Sequence, residues 1–249
     1  MKGGKSAEAA ATARYEVVLL CAGARTNGRD AGAGKRDAGK SEAAGRGGLE
    51  VATLSEVELP TAAQLEGAIG HTRDWPQAAR EAARARQAVA LVDELPSPER
   101  LGAFVARVAA EAKARGAVAI WWKVAERLVS PAALAEAARA ADPLRVALNL
   151  RLFHVETGAA DERVLDCIGL AALGLPDVQC HFAGLDPAQA AAVVEGTARY
   201  LFDEGDVIED GDTVPGADGG QWRCLREEAL VDPPRDVIDV TPPGPYARR

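Results

Sequence analysis

The stretch VALNLRLFHV, Val146–Val155, alternates apolar residues with others along its length and reads as a strand. Asp142-Pro143 ends a helix just before it. Downstream, Ile168–Leu175 and Asp177–Phe182 form further apolar segments, bent at Gly174 to Pro176, with no helical pattern between them. Neighbouring strands without an intervening helix favour a mixed α+β sheet over a doubly wound parallel one. On this spacing Val146, Leu148, Leu150, Leu152 and His154 share one face, which makes His154 a core-edge residue rather than a catalytic one.

Working back from this stretch, the first half alternates helix and strand. Residues 15–24 and Leu49–Leu59 are strand-like, 76–87 form an alanine- and arginine-rich helix, and Ala88–Val92 is a short apolar strand. Ser97-Pro98-Glu99 supplies an N-cap, a first-turn proline and an acid suited to the helix dipole, and Gly116 supplies the stop. Ala117–Trp122 is the next strand, and Ser130-Pro131 repeats the helix start. Working forward, Asp186-Pro187 begins a helix, residues 206–214 form an exposed turn, and Trp222–Val231 and Asp236–Val240 are strands. The expected architecture is α+β: a mixed β-sheet with packed helices in two α/β halves. It divides into a flexible N-terminus (1–14), a first half (15–145), a second half (146–241) and a tail (242–249).

Residues 22–48 hold eight glycines with six basic and three acidic residues, a composition that cannot bury an apolar face and reads as a disordered Gly/Ala-rich insertion. The total charge of −8 averages unlike parts. The insertion is net +3, residues 1–14 and 248–249 are net +2 each and Glu16 is −1, which leaves −14 on residues 49–247. Such an acidic body argues against nucleic acid. No apolar run reaches eighteen residues, so no membrane span is expected, and Glu8, Arg14 and Glu16 interrupt any signal-peptide core. Leu20 before Cys21 is too large for a lipoprotein cleavage box. Cys21, Cys167, Cys180 and Cys224 lack paired spacing and read as reduced thiols in a cytoplasmic chain. Cys180 and His181 are adjacent in a strand and point to opposite faces, so no metal site is expected there.

Gly34-Lys35-Arg36-Asp37-Ala38-Gly39-Lys40-Ser41 fits the phosphate-loop pattern, and Val89–Glu94 resembles the strand whose acid helps hold magnesium. A nucleotide hydrolase using Lys40, Ser41 and Asp93 is therefore one alternative. Its context is wrong, because the strand ends about ten residues too early. Three glycines at 45–48 also oppose the helix that should follow. Asp203, Glu204, Asp206, Glu209, Asp210 and Asp212 place six acids and no base in ten residues; the plain account is a solvated turn and the functional one a docking surface for a basic partner. The calcium-loop spacing is absent. His71, Asp74, Trp75 and Trp121 are candidates for a small-ligand pocket, against a helix cap with aromatic packing as the plain account. No nucleophile elbow or zinc-protease motif is present, and neither catalytic residues nor a cofactor are expected.

The order of His71-Thr72-Arg73-Asp74-Trp75-Pro76, Ala117–Trp122 with Ser130-Pro131, and Leu148–Phe153 resembles the bacterial family catalogued as domain of unknown function 4261. Gly169–Val178 is similar to that family's opening stretch, and Tyr200-Leu201-Phe202 with Asp210-Gly211-Asp212-Thr213 resembles its later helix end and turn. The resemblance runs from about residue 49 to 240 and is strongest after 165. It implies an α+β fold, with some members encoded near toxin–immunity or secretion genes, and it carries no catalytic residues. The expected function is a non-catalytic accessory or immunity-type protein that engages a protein partner through its acidic surface.

Overall fold

A computed structural model describes residues 14–23, 52–94, 96–155, 161–217 and 219–247. Most of the insertion, including Gly34–Ser41, lies outside the described residues. The seven-residue run Tyr15–Cys21 (β1), apolar apart from Glu16, is the middle strand of the first sheet. With β2 (Thr53–Val57), β3 (Gln87–Asp93), β4 (Ala117–Trp122) and β5 (Arg127–Val129) it forms the order β2-β3-β1-β4-β5. Every neighbouring pair is antiparallel.

Both faces of β1 are apolar beyond Glu16, which pairs with Lys123, because both are covered. Tyr15, Val17, Leu19 and Cys21 meet the buried faces of α3 (Pro98–Arg115) and α4 (Pro131–Ala140). Val18 and Leu20 meet α1 (Ala62–His71) and α2 (Ala78–Ala82). α3 starts at Pro98 and ends on Gly116, whose φ of 61° is the left-handed conformation a helix stop requires. Ser97 makes no side-chain cap there, whereas the Ser130 hydroxyl accepts from Ala133 N at 3.1 Å to cap α4. α2 is shorter than the expected 76–87, and Pro76 sits in the turn before it.

The second sheet contains β6 (Asn149–His154), β7 (Glu162–Ile168), β8 (Asp177–Ala183), β9 (Thr213–Pro215), β10 (Gln221–Glu228) and β11 (Asp236–Thr241). Its order is β6-β7-β8-β11-β10-β9, with β8 and β11 parallel and the other pairs antiparallel. The chain is thus α+β with one antiparallel and one mixed sheet. α6 (Pro187–Glu204) packs Val193, Val194, Ala198 and Leu201 onto the face formed by Leu165, Val178, Cys180, Phe182, Ile238 and Val240. These residues share one core with α3, α4 and the odd face of β1.

Three sequence expectations need correction here. Val146 and Ala147 belong to a short helix, α5 (Leu144–Ala147), so the strand starts at Asn149; similarly, β7 ends at Ile168 and residues 171–173 form a 3-10 turn. His154 is exposed at the strand end, not at a core edge. Asn149 and Arg151, on the opposite face, are the fully buried residues of β6, because that face meets polar partners rather than water.

Candidate functional site

The six acids at 203–212 do not form one free surface. The side chain of Arg226, on β10, pairs with Asp206, and its Nε donates to Ile208 O at 2.9 Å. Asp210 accepts from Arg226 N at 2.6 Å and Asp212 accepts from Glu209 N at 2.8 Å. Gly211, at φ 92°, donates to Cys224 O at 2.9 Å while Cys224 N donates to Asp212 O at 2.8 Å, so the turn is tied to β10. Asp203 and Glu204 are exposed, with no ion pair to another described residue, and Glu209 is exposed beside the Arg226 charge.

Next to this turn lies a groove of about 730 Å³ between α6 and β9. Val193, Tyr200, Val207, Ile208, Val214 and Pro215 line it, and Asp212 stands at its margin. Val193, Thr197 and Tyr200 follow one another at helical spacing on α6, and Glu204 continues that stripe. Tyr200 is 50% and Val207 47% exposed, among the most open large apolar side chains of the described residues. Gly196 lines the groove too, and a Cβ there would meet nothing within 4 Å. Apolar groove residues were not legible as a site in the sequence, because the two walls are set by elements that only the sheet brings together.

On the other face of the second sheet, buried polar side chains replace a second helical layer. Arg151 donates to Asp166 through Nε at 3.1 Å and Nη2 at 2.6 Å, and through Nη1 to Glu126 at 2.8 Å. Arg235 bridges Asp166 at 2.6 Å and Asp177 at 2.7 Å. Asp177 also accepts from Leu170 N at 2.8 Å; burial raises its carboxyl despite the opposing effect of Arg235. Segment 229–235 is held over this face, with Leu230 N donating to Gln179 at 3.0 Å and Arg151 Nη2 to Asp232 O at 2.8 Å. The alternating register Arg151↔Asp166 was the one available signal, since charges at inward positions of an apolar strand imply paired partners.

A smaller cavity of about 380 Å³ on this face is bordered by His181, Arg223, Glu227, Asp239 and Thr241. Burial first, and the neighbouring Glu227 charge second, push Asp239 up to about 7. Gln179 Nε2 donates to its carboxyl at 3.3 Å and Thr241 Oγ1 at 3.0 Å. His181 contacts Glu162 at 2.8 Å on the same face, while Cys180 points into the core. Among the described residues no group of three His, Cys, Asp or Glu is arranged to hold a metal ion. All four cysteines are buried and in no disulfide, and burial raises every thiol, Cys224 to about 11.

The proposed pocket group of His71, Asp74, Trp75 and Trp121 is divided. His71 and Asp74 line a cavity together near Arg127, whereas Trp75 and Trp121 pack on the α1/α2 core. Lys123 lies over the Trp121 ring at 5.3 Å. Trp122 is fully buried, its Nε1 donating to the Tyr15 hydroxyl at 2.9 Å. Lys40 and Ser41 lie outside the described residues. Asp93 is buried and engaged by Arg100 at 2.8 and 3.1 Å, which commits its carboxylate to holding α3.

The described architecture is that of an α+β protein with an apolar groove and an acidic margin. Residues 166–241, from the middle of β7 to the end of β11, match the model of the family described as Domain of unknown function (DUF4261). The matched segment contains the groove, the acidic turn and most of the buried ionic network, and the upstream stretch from residue 49 lies outside it. Neither the curated proteins nor the solved structures compared contain a match to the chain. No helix among the described residues is long and apolar enough to cross a membrane.

Proposed function

We propose that this chain is a non-catalytic accessory or immunity-type protein that holds a basic amphipathic segment of a protein partner in the groove between α6 and β9. The observation that carries this is the juxtaposition of exposed Tyr200 and Val207 with the exposed acids Asp203 and Glu204, which make no ion pair to a described residue. Exposed apolar surface rimmed by charge is the composition of a recognition patch. Tyrosine supplies large contact area at little entropic cost. Acids in the last turn of a helix oppose its dipole, which costs each about 0.3–1 kcal/mol, so stability alone does not account for Asp203 and Glu204 there. Opposite charge on a partner offsets that cost and speeds encounter.

The test is titration of the full chain with a synthetic helical peptide bearing leucine on one face and lysine on the other, followed by amide chemical shifts. Shifts centred on Val193, Gly196, Tyr200 and Val214, weakened by salt, support the assignment. No saturable shifts, or shifts centred on the opposite face of the second sheet, contradict it.

A further inference from the structure

The cavity that His71 and Asp74 line is rich in arginine. It measures about 250 Å³ and sits at the seam where α1, β5, α5, β6 and α6 meet. Four of its lining residues are arginines, Arg73, Arg127, Arg145 and Arg199, against two carboxylates, Asp74 and Glu195. Three of these arginines are paired, Arg127 with Asp74, Arg145 with Glu136, and Arg199 with Asp142 and Glu195, whereas Arg73 has no carboxylate partner among the described residues. We propose that this cavity binds a phosphoryl group, as free phosphate or on a small organic molecule.

The arginines are supplied by separate elements and are held differently. Arg127 is the best anchored: its side chain is 11% exposed, Nη1 donates to Leu148 O at 2.8 Å and Nη2 to Asp74 at 2.6 Å. Its Nε is buried and makes no hydrogen bond, and His71 Nδ1 lies 3.3 Å from Glu126 Oε2. Arg73 donates to Leu152 O at 3.1 Å and pairs with no carboxylate among the described residues. Arg145 and Arg199 are held at the margin by Glu136 and by Asp142 with Glu195.

Guanidinium groups match tetrahedral oxyanions through paired N–H donors, and several converging from different elements fix a dianion better than one. The size restricts the ligand, because about 300 Å³ is the lower end for pockets that enclose drug-sized molecules. Asp74 is 64% exposed on its side chain, so it can leave Arg127 to an incoming anion without being buried unpaired. Junctions between packed units are common places for such sites.

The full chain is titrated calorimetrically with inorganic phosphate and, separately, with glycerol phosphate, at constant ionic strength. Saturable binding of either is expected, weakened by about tenfold or more in Arg73→Gln and unchanged in Arg107→Gln, a surface arginine on α3. Whichever probe binds more tightly separates free phosphate from phosphate carried on an organic body. Arg73 makes one hydrogen bond to a backbone carbonyl, so its variant is expected to keep the native circular dichroism spectrum. Absence of saturable binding of both probes overturns the proposal, as does binding that Arg73→Gln leaves intact.

Discussion

Arg151 and Asp166 stand directly opposite each other on β6 and β7 and form a two-pronged ion pair, with neither side chain more than 2% exposed. Asp166 also receives Arg235, so one carboxylate compensates two buried guanidiniums. Replacing Asp166 with alanine leaves both without it, and the expected destabilisation is about 3–5 kcal/mol. Equilibrium denaturation in urea measures this. A loss below 1 kcal/mol would mean that water reaches the network.

Asp239 gives the protein a specific pH dependence. An unfolded aspartate titrates near 4, whereas burial and Glu227 hold this one at about 7. Between these values the folded chain binds the extra proton, so this contribution to stability declines as pH rises from about 4 to about 7 and is then fully lost. The slope from one group is at most about 1.4 kcal/mol per pH unit. Asp239→Asn is expected to flatten the profile across that window and to exceed the wild type in thermal stability at pH 8. Parallel profiles for the two proteins would show that Asp239 titrates normally.

Gly169 connects β7 to the 3-10 turn at φ 139°, and a Cβ there would lie 2.2 Å from Ala147 O at the end of α5. Both the conformation and the close approach demand glycine. Gly169→Ala is expected to cost about 3 kcal/mol or more, read from the denaturation midpoint. A near-neutral effect would place α5 farther from β7 than described.

The sequence made α3 and α6 legible because each has a proline at its first turn, a glycine after its last, and one apolar stripe. The faces of β8 were equally clear. β6 misled for a definite reason: apolar alternation identifies the inward face only when the other face meets water. Here Leu150 and Leu152 pack on the core while Arg151 is sealed beneath segment 229–235, so both faces are covered. The acidic run was visible, but its division was not. Arg226 takes up Asp206 and Asp210 from across the sheet, a contact sixteen to twenty residues away that spacing does not reveal. For the same reason His71 and Asp74 could be paired from sequence, while the arginines around them could not.

The exposed acids and the structural ones should respond differently to charge reversal. Asp203→Lys and Glu204→Lys are expected to weaken binding of the leucine/lysine peptide by several-fold and to leave stability within about 0.5 kcal/mol. Asp206→Lys instead places a second cation against Arg226 and is expected to lower stability by about 1 kcal/mol. Thermal melts beside peptide titrations distinguish the two classes, and identical behaviour in both would remove the division drawn between them.

Gly196 offers the most direct test of the groove itself. It lies on the exposed face of α6 with open space where a side chain would go, so substitution fills the groove without disturbing the core. Gly196→Ala is expected to stabilise α6 by about 0.5–1 kcal/mol and to retain peptide binding. Gly196→Phe should remain folded and lose binding by tenfold or more, measured as the Kd of the leucine/lysine peptide at fixed salt. Equal affinity in a folded Gly196→Phe protein would contradict the assignment of this groove as the partner surface.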